Sequence, residues 1–230
     1  MTAFAFFPNE EVLINLGSRG FCCPFFLKII LRVITNLCKT RYLCSMITIS
    51  SKRLKIAAHL TRGFFLTDPK RSAIGRVWQL VSRFTWELPQ TLVGWLFSVA
   101  RALAGRAERV DVLGGITFVT GKARSFGGGV SLGTFVDLWL WRALPGRDER
   151  FVLCDQLCMH EFGHTVDSQL FGWFYLPVIG LSSLMSAMGK GNHNVFWTEI
   201  RANKHAKRYF SKYYSMAWKE EGYPTQTGSA

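Results

Sequence analysis

Two histidines four residues apart, His160 and His164, with Glu161 directly after the first, tie the chain around them to one local conformation if they are to act together. Only a helix puts residues i and i+4 on one face, where two imidazoles can grip a single metal ion from one rigid element. Glu161 is then the next residue round, placed to stand beside a metal-bound water as general base without being a ligand. The neighbours agree with a helix. Phe151, Val152, Leu153, Leu157, Phe162 and Val166 supply apolar side chains at near-helical intervals, and no proline falls between residues 146 and 176.

Zinc in a hydrolytic site takes three protein ligands and keeps one position for water, so a third residue is needed. Asp167, His193, Glu199 and His205 are the downstream candidates. Asp167 shares the face of His160 and His164, but a straight helix carries it past the ion; it is left, with Asn203, as a partner behind the ligands. Chelation from one continuous stretch needs a glycine three residues after the second histidine and a His or Asp three further on. This chain has Asp167 and Leu170 there, which excludes that class. Glu199 has the best surroundings: Phe196 to Asn203 opens a second helix, with Asn194 or Thr198 as its cap and Ala202 and Ala206 small enough for close packing. Asn203, one turn on from Glu199, can orient a metal-binding histidine. His193 and His205 remain rivals for the third position.

HEFGH, an apolar stretch and then a helical E-x-x-A-N resemble the gluzincin-type zinc metallopeptidases. The longer strings HEFGHTVDSQLFGWFYLPVIGLSSLMSA and NHNVFWTEIRAN are similar to uncharacterised bacterial proteins predicted to be of that kind. The similarity continues upstream through GGITFVTGKARSFGGGVSLGTFV and, more weakly, FTWELPQTLVG, and so covers residues 80 to 210. It implies His160, His164 and Glu199 as zinc ligands and Glu161 as catalytic base. The chain departs from the pattern at Asn203, where many gluzincins have an aspartate.

With 230 residues, 49% of them hydrophobic, one domain with a substantial core is expected. The net charge of +13 is unevenly spread: residues 1–110 carry 16 basic and 5 acidic side chains, an excess of +11, while 111–230 carry 12 and 10, an excess of +2. The basic part is thus an appendage to a nearly balanced one. Between Lys52 and Leu66 cations alternate with apolar residues, a pattern that suits contact with an anionic membrane surface or an ordinary solvated helix face. No nucleic-acid module is recognisable, and that partner ranks last. None of the six cysteines forms a C-x-x-C pair, and Cys154 and Cys158 read as small buried side chains in a reducing compartment.

Residues 1–45 look unlike the rest. Glu10 and Glu11 sit where a secretory signal would be basic, and Lys28 and Arg32 break the apolar run there, so we expect the natural start at Met46 and a cytoplasmic or membrane-associated protein. Residues 46–110 then form a basic, apolar helical segment and 111–230 a zinc-metallopeptidase-like domain. Ile74, Val77, Trp78, Val81 and Phe84 predict a buried amphipathic helix that stops near Pro89, and a second helix runs from Gln90 to Ala104 before Gly105. A glycine turn and strand follow at residues 114–120. Val130, Ser131, Leu132, Gly133 and Thr134 belong to a half-buried edge strand on which an extended peptide can add itself. The 22 uncharged residues between Asp167 and Lys190 are long enough to cross a membrane, but a crossing would separate Glu199 from the histidines. A loop walling the cleft is the expectation, since Pro177 and three glycines interrupt the run.

The expected architecture is therefore α+β: mostly helical, with a small antiparallel sheet or hairpin and two metal-site helices. The expected activity is zinc-dependent hydrolysis of peptide bonds in a peptide or protein substrate. Glu161 activates the water; His193, His205 and Tyr209 are candidates to stabilise the oxyanion. The alternatives are a membrane-associated protein with a structural or vestigial zinc site, and a zinc-dependent amidase acting on something other than a peptide.

Overall fold

A computed structural model of the chain describes residues 51–123, 127–141, 143–189 and 196–216. The expectations for residues 1–45, Met46, His193 and Asn194 lie outside these. The fold is α+β. Helices α1 (Ser51–Arg62), α2 (Ala73–Phe84) and α3 (Leu88–Leu103) lead into strands β1 (Arg109–Leu113), β2 (Ile116–Lys122), β3 (Gly128–Leu132) and β4 (Phe135–Leu140). Helices α4 (Glu149–Leu153), α5 (Gln156–Phe171), α6 (Leu181–Met188) and α7 (Trp197–Tyr214) follow.

The sheet has the order β1-β2-β4-β3 and is mixed rather than antiparallel. Two antiparallel hairpins, β1–β2 and β3–β4, meet through a parallel pairing of β2 with β4. Burial explains the arrangement. β4 buries Phe135, Val136, Asp137 and Leu138 and takes the centre, whereas the half-buried, glycine-rich β3 goes to the edge. The first hairpin turns on Gly114 and Gly115, both at positive φ, as a two-residue turn that follows strand twist requires. β1 carries no sequence signal strong enough to have been expected; its only neighbour is β2.

Successive strand residues face opposite layers. Ile116, Phe118, Val136 and Leu138 pack with Met159 and Phe162 of α5 and Ala206 and Phe210 of α7. Val119 and Phe135 pack the other way, against Ala57 and Leu60 of α1 and Val99 and Ala102 of α3. On that second side lies a buried polar cluster. Asp137 takes hydrogen bonds from Ser98 Oγ at 2.6 Å and from Arg101, and burial still raises its pKa to about 6.

The helix expected from Ile74, Val77, Trp78, Val81 and Phe84 exists, but its apolar face is not buried: those five side chains are 43 to 83% exposed. The polar face is turned inwards instead. Arg83 Nη1 donates to the carbonyls of Gly63 (3.0 Å), Phe64 (2.9 Å) and Leu66 (2.6 Å), and Nη2 to that of Gly115 (3.0 Å). Gln79 accepts from Asp68 N–H and donates to Gly114 O. Backbone groups of the bend after α1 and of the β1–β2 turn would otherwise be buried without partners, and that cost fixes the helix's rotation. Pro89 does not end α2 at a distance but sits in the first turn of α3, where its missing N–H costs nothing.

The run Gln156–Met188 is nearly continuous helix, long and apolar enough to cross a membrane. It does not extend straight. Gly172, at φ +54, ends α5, and a wide turn over Tyr175–Gly180 leads into α6, whose Ser183 Oγ donates to Glu199 Oε1 at 2.7 Å. The chain leaves the helix that carries His160 and His164 and returns to the residue that meets them.

Glu87 generates a test of the inward polar cluster. Burial raises its pKa from 4.5 to about 7, against the opposing pull of Arg83 and of hydrogen bonds from Ser168 and Ser82. A carboxyl raised in this way holds its proton more tightly when folded, so its contribution to stability is largest below pH 4.5 and falls as pH rises towards 7. The difference in unfolding free energy between wild type and Glu87→Gln should shift in the variant's favour by up to about 3 kcal/mol between pH 5 and pH 8. Denaturant melts across that range check it; a constant difference contradicts the burial argument.

Candidate metal centre

The site is assembled from α5, α7 and the edge of the sheet. Asp155 caps α5 by accepting from Leu157 N–H at 2.9 Å, and from that start His160, Glu161 and His164 are all carried into the interior. α7 begins after Phe196 without a side-chain cap. Thr198, expected as a possible cap, turns its hydroxyl to Glu199 Oε1 at 2.9 Å.

Gly163, between the two histidines, is what allows α7 to come close. A Cβ there would lie 2.0 Å from Ala202 O, so the helices touch backbone to backbone at this crossing. Glu199, one turn before Ala202, is thereby brought over the histidine pair. Its Oε2 lies 2.9 Å from His160 Nε2 and 3.2 Å from His164 Nε2. One ligand atom from each of the three residues lies within 4.8 Å of the other two, and all three residues are buried. Two donors on a tetrahedral zinc, with bonds near 2.0–2.1 Å, stand about 3.3 Å apart, so this spacing suits one small ion. His160 Nδ1 is 2.8 Å from Asn203 Oδ1, an acceptor, which puts a proton on Nδ1 and turns Nε2 towards Glu199, where it holds either a second proton or a metal ion.

Charge is balanced within the trio. Burial opposes ionisation of Glu199, but hydrogen bonds to His160 and His164 outweigh it and hold the carboxyl well below the usual range. Burial pulls His160 down, yet Glu199, Glu161 and Asn203 together leave it above the ordinary histidine value. A cation is therefore favoured at this point, whether a proton or a metal ion.

Glu161 projects to the side of the trio. Ser131 Oγ, on β3, donates to its Oε2 at 2.6 Å, and a Cβ on Gly129 would lie 2.5 Å from its Oε1. The edge strand thus runs against the carboxylate, and a side chain at 129 would push the Glu161 side chain aside. A cleft of about 710 Å³ opens here, lined by Gly127 and β3, by the His-Glu-His face, and by Tyr175, Ile179 and Leu184 from the apolar wall.

Not every expected residue arrives. Val130, Ser131 and Leu132 line the cleft, but Gly133 and Thr134 form the β3–β4 turn, Gly133 being packed on Thr91 of α3. Tyr209 lies in the core against Phe162 and donates to Asp68 Oδ2 at 2.8 Å, because position 209 falls on the far side of the Gly163 crossing. His205 pairs with Asp167 Oδ1 at 3.2 Å, and Arg201 bonds the same oxygen. Asp167 accordingly ties α5 to α7 through these two side chains of α7. Tyr175 was not expected: buried in the apolar wall, it donates to Ser131 O at 3.0 Å. As the first tyrosine after the motif, in a run otherwise short of polar groups, it was the available signal. Cys158 is a buried core thiol with its pKa raised, as expected of a structural cysteine.

Comparison with known proteins gives no match to a family model, a curated protein or a solved structure.

Gly163→Ala tests the crossing. The added methyl group must push α7 away from α5, at a cost of about 1–3 kcal/mol. Gly180→Ala, whose Cβ would meet nothing nearer than 3.7 Å, should be neutral or slightly stabilising. Thermal unfolding of the two variants side by side reads the difference; equal melting temperatures would remove the backbone contact as the determinant.

Proposed function

We propose that this protein is a zinc-dependent metallopeptidase, with His160, His164 and Glu199 as metal ligands and Glu161 as general base. The observation that carries the reading is the position of Glu199 Oε2, within 3.2 Å of Nε2 on both histidines although 35 residues separate it from the nearer one. The donor set, two neutral imidazoles and a carboxylate, is one that zinc takes in hydrolytic sites. When bound, such an ion makes a water molecule acidic and polarises the carbonyl under attack.

The chain's own residues supply the rest. Asn203 fixes the ring of His160, and Ser183 and Thr198 hold Oε1 of Glu199, so the ligands are oriented before any ion arrives. Glu161 takes the proton from the attacking water and hands it to the departing amine, with Ser131 keeping its carboxylate turned towards the cleft. An extended peptide lies along β3. In the β3–β4 ladder Leu132 and Phe135 close the turn, so Val130 points its backbone groups to β4 and Gly129 points outwards. Gly129 N–H and C=O are thus the groups offered to substrate, while Tyr175 holds Ser131 O. Leu176, Ile179 and Leu184 suit apolar substrate side chains.

The setting is cytoplasmic or membrane-associated. Two variants separate this reading from a structural or vestigial zinc site. Glu161→Gln should keep stoichiometric zinc and lose peptide hydrolysis by about 10²–10⁴-fold, whereas Glu199→Ala should lose the metal as well. Metal analysis beside a peptide-library digest reads both. Full zinc retention by Glu199→Ala, or undiminished turnover in Glu161→Gln, refutes the assignment. Wild type that holds zinc but cleaves only non-peptide amides moves the activity to the amidase class.

A further inference from the structure

We infer that the outward faces of α2 and α3 form a docking surface for an anionic membrane, on which the protein sits without crossing it. α2 is inverted relative to a soluble core, and α3 is apolar on its outward face as well as where Val99 and Ala102 meet the core. α2 buries Gln79, Ser82 and Arg83 and exposes Ile74, Val77, Trp78, Val81 and Phe84. α3 buries Gln90, Thr91, Ser98 and Arg101 and exposes Leu92, Val93, Leu96 and Phe97. An apolar stripe on one helix can be an accident of packing. Here two successive helices are each locked in that rotation by hydrogen bonds on the polar side: Arg83 to four carbonyls, Gln90 to Gly172 O at 2.7 Å, Arg101 to Asp137. Neither can roll its apolar face inwards without stripping those partners.

The surface continues past the two helices. The Trp78 ring lies 4.8 Å from that of Trp86, Trp86 Nε1 donates to Gln169 O at 2.9 Å, and Trp86 packs on Gly172. Directly beyond, Trp173 and Phe174 are more than two-thirds exposed. An apolar area on this scale marks a partner surface. Tryptophan at its border is the residue type that favours the level of lipid headgroups.

Charge identifies the partner as lipid. From residue 51 to residue 107 the acidic side chains are Asp68 and Glu87, and both are buried. The exposed charges there, among them Lys55, Arg62, Arg76 and Arg106, are all positive; the first exposed acid is Glu108, at the start of the sheet. Cations round an apolar face attract anionic headgroups while the apolar residues enter the acyl boundary, the pairing used by helices that lie in the interface plane. A second copy of this face would bring the same cations together. α1, where basic and apolar residues alternate in sequence, buries Ala57 and Leu60 in the core, so it contributes charge to the rim and not the apolar contact.

The test is flotation of the full-length protein with vesicles of phosphatidylcholine alone and of phosphatidylcholine containing about a third phosphatidylglycerol. Wild type should float with the anionic vesicles, less so as salt is raised, and weakly with the neutral ones. The double variant Ile74→Glu/Val81→Glu, at exposed positions, should lose anionic-vesicle binding about tenfold or more while keeping its thermal unfolding and its metal content. Three results overturn the inference: wild type that stays with the soluble fraction, a double variant that floats as wild type does, or a wild-type dimer in light scattering that the double substitution turns into monomer without vesicle binding. Because metal content is read separately, a failure here leaves the zinc assignment standing, and the reverse also holds.

Discussion

Everything at the site follows from the contact between α5 and α7 at Gly163 and Ala202. A carboxylate reaches two imidazoles 35 and 39 residues upstream only if the helices bearing them approach more closely than ordinary side chains allow, and a glycine facing an alanine removes the obstacle. The cost of glycine in a helix interior, about 1 kcal/mol, is small beside what the approach secures. Asp167 reinforces the same crossing from one turn on, through Arg201 and His205, and Phe162 supports it from beneath by packing on Tyr209 and Phe210. The residues between and after the two histidines thus hold the partner helix in place, and the histidines and Glu161 face the cleft.

The sheet enters the chemistry from the opposite side by the same device. β3 sits at the edge, where its outward groups are available, and Gly129 lets it run against Glu161 closely enough for Ser131 to hold the carboxylate. Tyr175 then fastens Ser131 from the apolar wall. Wall, strand and Glu161 form one hydrogen-bonded sequence, so a displacement of the wall is felt at that carboxylate through two side chains.

Much of this was legible in residue spacing. The i, i+4 histidines, Glu199 with its small neighbours and Asn203 one turn on are local patterns, and each falls where a helix carries it. What spacing left out is long-range. The rotation of α2 was misread because periodicity reports that a helix has two faces, not which one the rest of the molecule requires; carbonyls from Gly63 to Gly115 decided that. The parallel pairing of β2 with β4 depends on which strand is more completely buried, and β1 exists because β2 needed a neighbour. His205 and Tyr209 are close to Glu199 along the chain but lie on other faces of α7, where proximity in sequence has no bearing on proximity to the two histidines.

The apolar wall has two sides with different demands. α6 buries none of its residues completely, and Leu181 and Leu184, which line the cleft, are more than half exposed. Among the described residues, the bond from Ser183 to Glu199 and continuity with the Tyr175–Gly180 turn are two of the ties that hold this exposed helix. An element with so few buried contacts opens at low cost. Any apolar surface that covers this wall removes it from water and favours the position in which Ser183 meets the Glu199 carboxylate. The same apolar excess that looks like a defect in a soluble fold therefore becomes a coupling: whatever covers the wall also steadies the geometry of Glu199.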